Sequence, residues 1–172
     1  MSRNVVITRA QGRRAILVVS MLMGWLTSAA FGAGGLDPHE VTNAQYARFL
    51  AATGREPPPY WSDGLPPPGH EDEPVVMVTW YDAAAYCAWD GHKRLPTVAE
   101  WQAACQAGGL PKRGNVWEWT MSVAAGTHDG KILCGPQGTC ACGHVYDPSW
   151  RNIVKGFRCM GSQPLAWRAP QP

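Results

Sequence analysis

The chain has 172 residues, with 15 Lys and Arg against 13 Asp and Glu and a formal net charge of +2 at pH 7. Nothing in that balance resembles a nucleic-acid footprint, which needs basic residues clustered on one face, and the length suits one core rather than two. Residues 1–33 read as an export leader; without its four arginines the rest has 11 basic and 13 acidic residues, a net charge near −2.

Within that leader, Arg3, Arg9, Arg13 and Arg14 supply positive charge with no acid nearby, an apolar run follows from Ala15 to Leu26, and Ser28-Ala29-Ala30 are the small residues signal peptidase accepts. The apolar run is about a dozen residues, short of the roughly 20 a helix needs to cross a bilayer. A cleaved signal is therefore expected, with no stable membrane span after it. Arg13-Arg14 also resembles a twin-arginine signal, and both export routes stay open. The expected location is the bacterial periplasm or outside the cell. All six cysteines (Cys87, Cys105, Cys134, Cys140, Cys142 and Cys159) follow the leader, and an even number in an exported chain favours disulfides.

Past the leader, Thr42 is a candidate N-cap for a helix over Val41 to Thr53, where Tyr46, Phe49 and Leu50 share a face and Gly54 ends the run. Glu56 to Pro74, broken by Pro57-Pro58-Pro59 and Pro66-Pro67-Pro68, reads as loop or polyproline II. Val75 to Val78 reads as a short buried strand. Thr79 then caps a second helix, about Tyr81 to Trp89, around which Ala85, Cys87 and Trp89 pack. Thr97 caps a third, Ala99 to about Ala107, with Glu100 where a capping box wants an acid and Gly108-Gly109 as its stop. Beyond it Gly and Pro recur and strands are short. The layout is α+β, with helices early and loop-joined strands late.

Four segments in this order resemble the formylglycine-generating enzyme family, also called the sulfatase-modifying factor family. They are Glu40-Val41-Thr42-Asn43 with Tyr46 and Phe49; Val78-Thr79-Trp80 through Tyr86-Cys87-Ala88-Trp89; Arg94-Leu95-Pro96-Thr97 with Glu100-Trp101; and Gly114-Asn115-Val116-Trp117-Glu118-Trp119. Gly156-Phe157-Arg158-Cys159 closes the domain as the family does. The resemblance covers about Pro38 to Met160. It implies an irregular, loop-rich C-type-lectin-like fold over residues 36–162, leaving 163–172 as a tail. Trp101, Trp117 and Trp119 read as core packing, which a domain with little regular structure needs.

The resemblance also implies chemistry. Formylglycine-generating enzymes oxidise a cysteine of a client sulfatase, and copper-dependent members hold Cu(I) between two thiolates, soft ligands that select this ion. Carried over in order, Cys87 pairs with Cys159 and Cys105 with Cys142, leaving Cys134 and Cys140 as the catalytic, copper-binding pair. The family places four residues between its active cysteines, whereas here there are five. In a second register Cys134 takes the place of the motif's arginine and Cys140 becomes the first active cysteine. Cys140-Ala141-Cys142 is also open to holding a metal or forming a local disulfide, and three ordinary structural cysteines are the plain alternative. Family members bind calcium around the Asn-Val-Trp-Glu motif, so Gly114, Asn115 and Glu118 are candidate calcium ligands, against a buried Asn–Glu hydrogen-bond network.

Between Gln106 and Gly114 the family carries a long insertion with calcium ligands, where this chain has a few residues. Ergothioneine-pathway relatives bind iron through an added helical domain; here His39, His70, His92, His128 and His144 are scattered and read as surface or hydrogen-bonding residues. The resemblance thus implies an exported protein that oxidises a cysteine or similar group of a client protein or peptide during its maturation. The alternative is a non-catalytic lectin-like binding or maturation factor that has lost the copper site.

Overall fold

The computed structural model describes residues 35–108, 110–111, 114–136 and 139–161. The expected leader and the tail lie outside the described residues. Three helices come first: α1 (Asn43–Thr53), α2 (Trp80–Trp89) and α3 (Val98–Gln106). Each begins with a capping box. Thr42 accepts from the Gln45 N–H while the Gln45 side chain accepts from the Thr42 N–H; Thr79 with Asp82 and Thr97 with Glu100 repeat the device. Each box satisfies two orphan donors of a first turn, and an N-cap of this kind stabilises by about 1 kcal/mol. Thr42 as N-cap has extended backbone at φ −86° and ψ 163°, so α1 starts after it rather than at Val41. At the other end Gly54, at φ 66°, takes the left-handed conformation and donates to the Leu50 carbonyl.

The expected strand at Val75–Val78 does not form. Val75 and Val78 are buried, but the Val75 N–H donates to the Val41 carbonyl and the Met77 N–H to that of Asn152. Met77 lies at φ 56°, which breaks the extended run. Hydrogen bonds going to two distant segments cannot make a ladder.

The second half builds a sheet from β1 (Trp117–Val123), β2 (Lys131–Cys134), β3 (Cys142–Tyr146) and β4 (Lys155–Gly156) in the order β3-β2-β1-β4. β2 runs antiparallel to β1 and β3, with Glu118 opposite Cys134 and Leu133 opposite His144; β4 is parallel to β1. The core lies between the sheet and helices α1 and α2. Tyr46 stacks on Tyr86 at 5.8 Å between centroids, and Phe49 and Phe157 meet Tyr86 edge-on. Trp101 and Trp119 are fully buried, whereas Trp117 is half-buried. Trp89 is 42% exposed and covers Phe49 from the rim rather than entering the core. Among the described residues no helix is long and apolar enough to cross a membrane.

Candidate functional site

All six cysteines are in disulfides. Cys87 on α2 bridges to Cys159, and both are fully buried. Two other bridges replace the implied arrangement: Cys105 joins Cys140, and Cys134 joins Cys142. This corrects both the Cys105–Cys142 pairing and the free Cys134/Cys140 pair. The cause is strand register. Cys134 ends β2 and Cys142 begins β3 at paired positions, with Cα atoms 4.1 Å apart, so their side chains meet. Cys140, outside the ladder, then meets the last turn of α3, where the Cys105 Cα is 5.7 Å away and the Gln102 side chain donates to the Cys140 carbonyl. Two thiolates facing one Cu(I) do not fit this arrangement, because each candidate sulfur is bonded to a different partner.

Of the two readings of the Asn-Val-Trp-Glu segment, the structure shows a buried hydrogen-bond network around Glu118, made with Trp101 and Arg158 rather than with Asn115. Glu118 is fully buried on β1. Its carboxylate accepts from the Trp101 indole N–H at 2.8 Å and from the Arg158 guanidinium at 2.6 and 3.0 Å. Arg158, also fully buried, donates from Nη1 to the carbonyls of Asp37 and Pro38 and lies 3.6 Å from the buried Glu40. One ion cluster thus ties α3, β1, the closing segment and the chain entering the domain. Asn115 is exposed and Gly114 half-buried, whereas Glu118 is fully buried with its carboxylate held by Trp101 and Arg158. A guanidinium stands where Glu118 would meet a cation, and calcium does not fit these residues. Among the described residues no group of three or more His, Cys, Asp or Glu has the arrangement of a metal site.

A separate groove of about 680 Å³ opens where the β1–β2 turn, the start of α2 and the segment after β3 meet. Its walls include Tyr81, His128, Asp129, Tyr146, Asp147 and Trp150. Asp147 Oδ1 accepts from the Ser149 N–H and hydroxyl, and the Trp150 N–H donates to the Asp147 carbonyl, a turn that fixes Trp150 outward at 60% exposure. The Trp80 N–H donates to the Pro148 carbonyl at 2.9 Å, which brings Tyr81 to the same groove. Asp129 is held by the Lys131 ammonium and the Tyr81 hydroxyl. Those hydrogen bonds, Lys131 first, lower its carboxyl pKa, and the Ser149 side chain and N–H do the same for Asp147. Beneath the groove Lys155 places its ammonium 3.2 Å from the Tyr146 ring centroid, and burial brings its pKa down to about 8. No site role was expected of these residues, Tyr81 being expected only to open a helix and His128 only to lie at the surface or to hydrogen-bond. A visible signal was Asp147-Pro148-Ser149-Trp150, an Asx-turn pattern carrying a large aromatic.

Residues 33–113 match the sulfatase-modifying factor enzyme 1-like domain. Over those residues the chain resembles a shortened, divergent form of that domain. It is 56% identical over 46 residues to the formylglycine-generating enzyme of Bos taurus, a match covering 27% of this chain and 12% of that protein. Over another 46-residue match it is 59% identical to the inactive C-alpha-formylglycine-generating enzyme 2 of the same organism, covering 27% and 14%. It is also 39% identical over 93 residues to the serine/threonine-protein kinase Pkn1 of Chlamydia trachomatis serovar L2, covering 45% and 15%. The matches thus span about a seventh of each of these relatives. Among solved structures, CarF superposes with a TM-score of 0.53 at 20% identity over 75% of this chain and 86% of that one. That likeness carries the fold alone: the loop-rich, C-type-lectin-like α+β architecture of the sulfatase-modifying factor family.

Proposed function

We propose that this chain is a non-catalytic binding module of the sulfatase-modifying factor family, acting outside the cytoplasm during the maturation of a client protein or peptide. The observation that carries the reading is the closure of all six cysteines into three bridges, since the family's oxidation chemistry needs two thiolates on one copper. Disulfides persist in an oxidising compartment, which agrees with an exported chain. The ion cluster around Glu118 supports the same reading, because it spends the family motif on holding the domain together. A relative whose printed name marks it inactive retains a closely similar segment, so the scaffold survives without formylglycine-generating activity. The similarity to Pkn1 places such a segment in a much longer protein.

The test is Cu(I) titration with thiol counting on the oxidised protein, repeated on Cys140→Ser. The expected outcome is no thiol free before denaturation and no stoichiometric copper. Two free thiols together with one tightly held copper that Cys140→Ser abolishes would overturn the proposal and restore the oxidase.

A further inference from the structure

We infer that the groove between Tyr81 and Trp150 binds a neutral saccharide. This rests on the binding-module reading and names its ligand and its site. Trp150 is 60% exposed and Tyr81 51%, each a costly apolar surface to leave in water at about 25 cal/mol per Å². Neither ring is there through slack chain. The Asp147–Ser149 turn fixes the first, and the second sits in the opening turn of α2, joined to that turn through Trp80 and Pro148. Rigid Trp and Tyr rings offer large amphipathic contact at low entropic cost. Gly130 completes the wall: a Cβ there would stand 2.8 Å from both Thr127 Oγ1 and Val145 Cγ1, so the turn packs against β3 only without a side chain.

The charges around the groove select among ligand classes. Asp129 and Asp147 disfavour an anion. An apolar ligand would strip water from both carboxylates with nothing in return. A cation faces a different obstacle. The ammonium of Lys155 already lies on the Tyr146 ring and that of Lys131 4.4 Å from the Trp80 centroid, so two nearby ring systems are occupied by positive charge. What fits is a neutral molecule with a flat C–H face and hydroxyls at its edge. A pyranose meets that description. Its C–H face lies on Trp150 or Tyr81 while its hydroxyls donate to Asp129 and Asp147, whose other bonds to Lys131 and Ser149 keep them oriented. A groove of about 680 Å³ falls within the usual range for small-molecule sites.

The experiment is calorimetry and saturation-transfer NMR on the disulfide-intact protein with maltohexaose, cellohexaose and chitohexaose. At least one is expected to bind with a Kd below about 1 mM. Trp150→Ala and Asp147→Asn should each weaken that binding about tenfold or more, with unchanged circular dichroism. Tyr81→Ala is the second aromatic probe should Trp150→Ala fail to fold. The inference is overturned if none of the three saccharides binds at about 10 mM, if binding survives the folded variants unchanged, or if an arginine-rich hexapeptide binds in their place. The binding-module reading fails independently, through free thiols and copper, so the two failures are distinguishable.

Discussion

Arg158 shows how much one side chain carries in a domain with so little regular structure. It is fully buried between two carboxylates, Glu118 in bidentate contact and Glu40 at 3.6 Å. Removing the cation and removing one anion are therefore unequal changes. Arg158→Met leaves two buried acids facing each other and the carbonyls of Asp37 and Pro38 without their donor; the loss of a buried partner typically costs 3–5 kcal/mol. Glu118→Gln keeps Glu40 opposite the guanidinium and retains an acceptor for the Trp101 indole. The expected outcome in urea unfolding is a loss of about 4 kcal/mol for Arg158→Met and a smaller one for Glu118→Gln. Equal losses would mean that Glu40 contributes nothing to the cluster.

At the scale of the element, α3 illustrates a cap that also makes an ion pair. Glu100 accepts from the Thr97 N–H and hydroxyl and is gripped by both terminal nitrogens of Arg94. The hydrogen bonds from Arg94, with those from Thr97 added, lower its pKa from the ordinary 4.5 to about 2. A depressed carboxylate contributes stability that is present above the unfolded value and lost as pH falls towards the folded one. The pair is partly exposed, so solvent screening reduces the effect. Glu100→Gln is expected to flatten the acid limb of the stability profile between about pH 4.5 and 2, measured by denaturant unfolding at each pH; a limb as steep as the wild type's would exclude Glu100 as its source.

The same element explains what could be read from sequence. Thr42, Thr79 and Thr97 mark their helices because a capping signal is local, contained within four residues. The strand at Val75–Val78 misled because burial and apolar composition are shared by strands and irregular chain, and Met77's left-handed backbone leaves no composition signal. Cys87–Cys159 forms as the resemblance implied, but the other two pairings were not legible, for a related reason. Cys134 meets Cys142 through the register of β2 and β3, a non-local fact that no spacing along the chain reports. The groove as a whole was not legible, because Tyr81, Asp129 and Trp150 come from three separate segments and only the Asp147–Trp150 turn leaves a local signal.

For the whole molecule the three bridges divide the labour of closure unequally. Cys87–Cys159 spans 72 residues and fastens α2 to the closing segment beside Arg158, whereas Cys105–Cys140 spans 35 and Cys134–Cys142 only 8. In the chain-entropy account the longest loop stabilises most, about 4 kcal/mol against about 2.5 for the shortest. Exposure does not follow loop length: Cys87, Cys159 and Cys134 are fully buried, while Cys105 and Cys140 are both half-exposed. A reductant needs access to a sulfur before it can exchange with it. Graded reduction with alkylation trapping is therefore expected to label Cys105 and Cys140 together first, with the fold intact. Cys87 and Cys159 should label last, together with global unfolding. Joint early labelling of Cys105 with Cys142 would show that the implied pairing, not the register of β2 and β3, governs this corner of the domain. Early labelling of Cys87 and Cys159 would mean that the core opens before its rim, and the helices would then not be held to the sheet as described.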